Sequence, residues 1–184
     1  MDNQTAQDAY QLIVETAHQF NPAMALQFEN FGPLSLSAND KPDVCSHLCR
    51  SIAGQQLSVT AAGTIWQRVM TASGEQPLTL FLHQCPEQAL RSCGLSGSKI
   101  KTIKGLVAAH HQGELDTQEL CNMSHRQREA ALLAFWGVGQ WTVDMLGIFY
   151  FCEPDIWPGN DVTANKVLNR LAPRRRNLEK LARH

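Results

Sequence analysis

The residues best suited to chemistry in this chain lie in two short segments, about twenty residues apart. In the first, Gly137 and Gly139 flank one aliphatic residue, between two helical patterns. Two such glycines let the backbone turn sharply and leave amide N–H groups exposed at the next helix start, an anion site of the kind that holds a DNA phosphate. The second segment is Trp157-Pro-Gly-Asn-Asp161, where a lone carboxylate stands at the start of another helix. Together the two segments suggest an enzyme that acts on DNA sugars.

Asp161 has two interpretations at this stage. A carboxylate at a helix N-terminus feels the positive end of the helix dipole, and nearby N–H donors should keep it ionised at neutral pH. Alternatively, Asp161 or Asn160 is simply the N-cap of the following helix. The local sequence favours the cap, and the upstream glycine turn favours a dual role.

The elements that must position these residues are predicted to be helices throughout, which makes the fold class all-α. Ser58, Ser98 and Ser124 are the expected N-caps of three of them. We expect an extended link over 34–39 and a loop over 154–161. The predicted helices cover residues 6–20, 22–31, 43–54, 58–70, 78–82, 86–93, 98–110, 116–121, 124–135, 140–151, 162–171 and 177–184.

Composition narrows the class of protein further. The formal net charge of −1 excludes a strongly basic coat, so any contact with nucleic acid must be local. No apolar run is long enough to span a bilayer, so we expect no membrane partner. Without a signal peptide, the six cysteines indicate reduced thiols in a cytoplasmic protein. Cys45 and Cys49 could form a metal pair, but buried small side chains are the better interpretation.

Four ordered blocks carry a resemblance to a known family. They are Phe31-Gly-Pro-Leu34, Arg50-Ser-Ile-Ala-Gly-Gln-Gln-Leu-Ser-Val59, Gly94-Leu-Ser-Gly-Ser-Lys99, and the glycine turn together with Trp157–Asp161. They resemble the helix-hairpin-helix, Gly/Pro-rich, Asp-containing (HhH-GPD) superfamily of DNA glycosylases, in particular the alkylpurine glycosylases of the 3-methyladenine DNA glycosylase II type. Four blocks in order are far more specific than a lone Gly-Val-Gly.

The resemblance implies a two-lobed helical fold with an interlobe cleft. Residues 40–151 would form a central domain that ends in the hairpin, and residues 1–39 with 152–184 a second lobe that carries the catalytic aspartate. Asp161 matches that aspartate. The hairpin residues expected to bind DNA are Gly137, Val138, Gly139, Gln140 and Thr142.

The implied activity is hydrolysis of the N-glycosidic bond of alkylated purines in double-stranded DNA, by a monomer, during base-excision repair. A carboxylate stabilises the oxocarbenium-like sugar of the transition state or orients a water molecule. N3- and N7-alkylated purines are already cationic, so a strong general acid is not needed. The target base must also be rotated out of the duplex into a pocket.

Several side chains are expected to surround the flipped base. Trp141 matches the pocket tryptophan of the family, and a cationic base binds well to such an aromatic face. Trp136, Phe135, Phe149 and Trp157 are further candidates for the wall, with core packing the better interpretation for Phe135 and Phe149. Gln56 or Leu57, in a helix–helix corner, would fill the gap that the base leaves; the alternative is a corner that only caps the next helix.

Further expectations concern chemistry that the chain should lack. Related bifunctional glycosylases carry a nucleophilic lysine where this chain has Trp141, so strand cleavage is not expected. We expect no cofactor, no iron–sulfur cluster and no catalytic metal, although a structural alkali ion bound to hairpin carbonyls fits the family. The resemblance also implies a further helix that closes part of the base pocket, and the sequence ends before it; a truncated chain, an open pocket and poor activity are the alternatives.

Other side chains carry weaker expectations. Lys99, Lys101 and Lys104 could contact phosphates, but solvated side chains are more common at such positions. Asp144 should be structural. A non-catalytic helix-hairpin-helix module that only binds DNA is the main alternative function. A metal-dependent hydrolase built on His110 and His111 ranks last, because adjacent helical residues diverge by about 100 degrees.

Overall fold

The computed structural model describes residues 3–33, 42–153 and 156–171, and all the regular structure within these ranges is helical. None of the described helices is long and apolar enough to cross a membrane. In chain order the helices are α1 (Asn3–Phe20), α2 (Pro22–Phe31), α3 (Val44–Gly54), α4 (Val59–Ser73), α5 (Leu78–Gln84), α6 (Glu87–Ser92), α7 (Gly97–His111), α8 (Thr117–Asn122), α9 (His125–Leu133), α10 (Gln140–Phe149) and α11 (Val162–Leu171).

The chain divides into two compact units, Met1–Asn39 and Asp40–His184. In the first unit α1 and α2 pack against each other, with Ala17 and Ala25 buried. Asn21, which lies between α1 and α2, is the N-cap of α2, because its side chain accepts a hydrogen bond from the Met24 amide. The expected grouping of residues 1–39 with 152–184 stays a prediction.

The core of the second unit lies between α3 and α7. Val44, Leu48 and Ile52 on α3 are at most 1% exposed, as their spacing along one helix face requires. They meet a face of α7 that includes Ile100 and Ile103. Burying each such side chain contributes about 2 kcal/mol, so this helix pair is a firm support for what is attached to it.

Cys45 and Cys49 are also fully buried in this core. This confirms that they act as small apolar side chains. Burial and the neighbouring Cys45 thiol raise the pKa of Cys49 well above its usual value, with the hydrogen bond to Cys45 the largest cause. Neither thiol is set up as a nucleophile.

The serine caps were predicted correctly at two positions and wrongly at one. Ser58 and Ser124 cap α4 and α9, the latter in a capping box with Gln127. The cap of α7 is Ser96, and Ser98 was the wrong choice. An N-cap side chain accepts from the amide three residues later, and Ser96 accepts from Lys99, whereas Ser98 lies inside the first turn.

Other helix boundaries differ from the prediction by up to three residues, as at α1, α4, α9 and α10. Residues 156–161 form the expected loop. The link over 34–39 and the helix over 177–184 lie outside the described residues.

Candidate functional site

The glycine turn connects α9 to α10 as predicted, and Gly137 is sterically required there. Its φ of +82° lies in the left-handed region, which favours glycine. A Cβ at this position would also run into the Thr102 side chain of α7. Gly139 differs, since its φ of −107° suits any residue and no atom lies within 4 Å of a Cβ built there.

The N-terminus of α10 is open. Gly139 is its N-cap residue and offers no side chain. Side chains cap α2, α3, α4, α7, α8 and α9, and the shorter helices α5 and α6 also begin without a side-chain cap. A ten-residue helix that begins without a side-chain cap keeps amide donors and the positive dipole end available for an anion. This geometry fits the predicted phosphate-binding turn.

Asp161 lies where two helices meet, and different donors engage its two oxygens. Oδ1 accepts a hydrogen bond from the Ala164 amide at 2.7 Å, which makes Asp161 the N-cap of α11. Oδ2 accepts from the indole Nε1 of Trp141, in the first turn of α10, at 2.8 Å. The carboxylate is therefore an N-cap, and it is also held by the helix of the glycine turn.

These hydrogen bonds set the ionisation of Asp161. The Ala164 amide first, and then the Trp141 indole, lower the pKa of the carboxyl below its usual value, while partial burial acts in the opposite direction. Asp161 is therefore a carboxylate at neutral pH, available to stabilise positive charge.

Trp141, the predicted pocket tryptophan, thus has its N–H committed to Asp161 and is half-buried. Met145 and Phe149 follow it on the same face of α10, four and eight residues on. Phe149 is 54% exposed, so the expectation that it packs in the core was wrong. The core-facing residues of α10 are Val143, Leu146 and Gly147, and Phe149 lies on the other side.

The remaining aromatic candidates are spread over different surroundings. Phe135 packs against the core, as expected. Trp136 is 55% exposed, and the Lys101 ammonium lies 4.2 Å from the centre of its ring. Trp157 is half-buried in the loop before Asp161.

The corner that carries Gln56 and Leu57 follows the end of α3. Gln56 is exposed, and Leu57 is 40% exposed, so both side chains are available to a ligand. Gln56 has a φ of +58°, an unusual value for a residue with a side chain. Gln55 points the other way and donates to Thr142 Oγ1 at 3.0 Å and to the Gly137 carbonyl at 3.4 Å.

Two of the predicted DNA-binding residues of the turn face inward. Val138 is 6% exposed and Thr142 is 1% exposed. Their expected DNA contacts can therefore involve only backbone atoms, because the side chains are covered. Gln140 donates to Asp144 at 2.8 Å, and Asp144 is buried, which raises its pKa. Asp144 thus has the structural role that was expected.

The lysines are not simply solvated. Lys99 Nζ donates to the carbonyls of Ala53 and Gln55 at 2.9 and 2.8 Å, and Lys104 Nζ to those of His83 and Cys85 at 2.9 and 2.5 Å. Each ammonium therefore binds the carbonyl end of a helix. The expectation of solvated side chains was therefore wrong for Lys99 and Lys104, whereas Lys101 is exposed.

One group of potential metal ligands lies away from this site. Asp43, Cys45 and His110 offer ligand atoms within 4.8 Å of one another. Both Asp43 oxygens already accept hydrogen bonds from Ser46, at 2.8 Å from its amide and 2.7 Å from its hydroxyl. We assign the carboxylate to capping α3.

Sequence reasoning missed an ion pair that fixes the start of the loop leading to Asp161. Arg128 of α9 is 5% exposed and pairs with Glu153, which His125 also approaches at 3.4 Å. Arg128 donates to the Leu120 and Met123 carbonyls as well. An arginine in a polar helix pattern gives no signal of burial, since only the tertiary fold covers it.

Comparison with known proteins identifies the family. The family model described as "HhH-GPD superfamily base excision DNA repair protein" matches residues 49–184, and the chain belongs to this superfamily. DNA-3-methyladenine glycosylase 1 of Schizosaccharomyces pombe is 31% identical over 138 residues, which are 72% of this chain and 60% of the relative. The putative DNA-3-methyladenine glycosylase YfjP of Bacillus subtilis is 26% identical over 67% of this chain and 45% of its own. The matched regions thus span about half to three fifths of these relatives.

Solved structures agree on the fold. The DNA-3-methyladenine glycosidase of Bacillus halodurans superposes with a TM-score of 0.71 at 29% identity, covering 90% of this chain and 76% of the other. The 3-methyladenine DNA glycosylase Mag1 of S. pombe, solved with abasic DNA, gives a TM-score of 0.70 at 24% identity over 82% and 77%. The predicted all-α fold of this superfamily is confirmed.

Proposed function

We propose that this protein is a monofunctional DNA glycosylase that hydrolyses the N-glycosidic bond of alkylated purines in double-stranded DNA, as a step of base-excision repair. The observation that carries the proposal is the 2.8 Å hydrogen bond between Trp141 and Asp161. It connects the helix that begins at the phosphate-binding turn to an ionised carboxylate. The relatives named as DNA-3-methyladenine glycosylases support alkylated purines as the substrate class.

In this proposal the open end of α10 binds a backbone phosphate of the damaged strand. Gln56 or Leu57, both exposed in the corner, enters the duplex as the damaged nucleotide rotates out, at a cost of a few kcal/mol. The cationic base then lies near the aromatic face that begins with Trp141. A module that only binds DNA would share the phosphate contact, but it would not need the aromatic face.

The chemical step depends on Asp161. As the bond from C1′ to the base nitrogen breaks, its electron pair neutralises the cationic purine, and positive charge develops on the sugar. The Asp161 carboxylate stabilises this charge, and water adds at C1′ with loss of a proton. Trp141 has no amine for a Schiff base, so the strand remains intact. The mechanism uses no cofactor, and the alkali ion expected at the hairpin stays a prediction.

The test is incubation of the protein with methylated DNA, followed by chromatography of the released bases and electrophoresis of the strands. Free 3-methyladenine or 7-methylguanine without strand breaks is the expected result. Binding of DNA without any released base would instead favour the non-catalytic helix-hairpin-helix module. Strand breaks at the damaged sites would contradict the monofunctional assignment.

A further inference from the structure

The corner after α3 contains a residue in an unfavourable backbone conformation. Gln56 has a left-handed φ of +58°, which is unfavourable for a residue with a side chain. The corner is also the end of a helix, where backbone carbonyls lack intrahelical partners. The Leu57 amide closes the turn locally by donating to the Gly54 carbonyl, and contacts with other elements add to this support.

Lys99 of α7 supplies one of these contacts. Its ammonium donates to the carbonyls of Ala53 and Gln55, the last residues before Gln56. Burial of the ammonium lowers its pKa, yet two carbonyls at a helix C-terminus suit a cation. The Lys99 side chain thus fixes the backbone that leads directly into Gln56 and Leu57.

Gln55 supplies the second contact, toward the glycine turn. Its side-chain amide donates to Oγ1 of Thr142, a buried residue in the first turn of α10, and more weakly to the Gly137 carbonyl. Thr102, one turn after Lys99 on α7, fills the space under Gly137. One face of α7 therefore supports both the corner and the turn.

We propose that Lys99 is a positioning residue, which holds the corner ready for insertion into DNA and, through Gln55, in fixed register with the phosphate-binding turn. This inference rests on the proposed function. A preformed corner avoids an ordering cost when the gap is filled. Losing Lys99 should therefore weaken complexes in which the corner fills a gap, and spare those that use the turn alone.

The experiment compares Lys99→Met with Lys104→Met. Lys104 makes the same kind of contact, with its ammonium on the carbonyls of His83 and Cys85 at the end of α5. Binding to a duplex with a stable abasic analogue and to an undamaged duplex is measured by fluorescence anisotropy, and unfolding by thermal melting. Both variants should melt below the wild type. Only Lys99→Met should lose selectivity for the abasic duplex, by about tenfold.

Gln55→Ala tests the inference when the lysine variants do not fold. It removes the bond to Thr142 and leaves the Gln55 carbonyl for Lys99, so it should lower abasic selectivity with little change in melting temperature. Wild-type selectivity in Lys99→Met or Gln55→Ala, or equal loss in Lys104→Met, would overturn the inference alone. A wild-type protein that neither prefers abasic DNA nor releases bases would overturn the proposed function, and this inference with it.

Discussion

At the level of single residues, the Asp161 carboxylate combines two roles that the sequence left as alternatives. Its Oδ1 caps α11 and its Oδ2 accepts from Trp141. Because a hydrogen bond holds each of its oxygens, the carboxylate cannot rotate freely, and its negative charge has a fixed position. The cap and the proposed catalytic group are the same side chain.

Trp141→Phe should raise the pKa of Asp161 toward its ordinary value, because it removes the second-largest cause of the lowering. Losing one hydrogen bond to a charged group should also cost about 1.5 kcal/mol of unfolding free energy. The pKa is read from the carboxyl carbon shift of Asp161 by NMR during an acid titration. Trp66→Phe, on α4, is the control and should leave the titration unchanged. An unchanged pKa in Trp141→Phe would contradict the contact.

Asp161→Asn should abolish base release and keep both the fold and DNA affinity, since asparagine also caps helices; the charge is lost, and so is the acceptor for the Trp141 indole. At neutral pH it should be less stable than the wild type by about 2 kcal/mol, from the lost Trp141 hydrogen bond together with the helix dipole. The folded pKa is lowered, so this stability is present above the unfolded pKa and is lost as pH falls through the folded pKa. Melting curves of both proteins should converge in acid. Undiminished base release by Asp161→Asn would refute the catalytic assignment.

At the level of elements, the sequence predicted what is encoded locally. The apolar spacing of α3 and the capping serines of α4 and α9 are local signals, and the structure agrees with them. Ser96 and Ser98 show the limit, because both precede the same apolar pattern and only the three-residue reach to Lys99 separates them. Gly137 and Gly139 show a second limit. The sequence marks both as turn glycines, but only Gly137 is sterically required to be one.

Gly137→Ala should destabilise the protein by about 2 kcal/mol, through its left-handed φ and the collision with Thr102. Gly113→Ala is the control for φ alone, because Gly113 has a φ of +85° and open space around it. Adding Thr102→Ala to Gly137→Ala should restore part of the lost stability in chemical denaturation. No restoration in the double variant would show that the collision is not the cause.

Gly139→Ala should cost less than about 1 kcal/mol, since the backbone is unstrained and the added methyl meets no atom within 4 Å. If the open end of α10 binds a phosphate, that methyl group crowds the approach, and affinity for an abasic duplex should fall. Melting and anisotropy on the same preparation separate the two effects. Unchanged affinity would count against the phosphate-binding turn.

At the level of the whole molecule, the candidate site depends on contacts between distant segments. Gln55 and Thr142 are 87 residues apart in sequence, and Trp141 and Asp161 are 20 apart. No periodicity or spacing rule brings such pairs together. The resemblance to a family therefore predicted the site residues, and only the structure shows the hydrogen bonds between them. Lys99 illustrates this, since an ammonium on a helix surface is usually solvated, and here it binds the end of another helix.

The ion pair of buried Arg128 and half-buried Glu153 is a further contact of this kind, and it fixes the start of the loop that ends at Asp161. Glu153 also donates its amide to the Gly147 carbonyl, so the loop leaves from the body of α10. Arg128→Met would leave the Glu153 carboxylate and the Leu120 and Met123 carbonyls without their cation. Removing one partner of a buried pair is more damaging than replacing both.

Arg128→Met should therefore lower the unfolding free energy by about 3 kcal/mol, measured by chemical denaturation. Arg126→Met, on the exposed face of the same helix, is the matched control and should change it by less than about 0.5 kcal/mol. Below the melting temperature of the variant, base release should also fall, because the loop that carries Asp161 is no longer fixed at its start. Equal stability of the two arginine variants would show that the pair contributes nothing. A stability loss with normal base release would show that the loop keeps its position without Arg128.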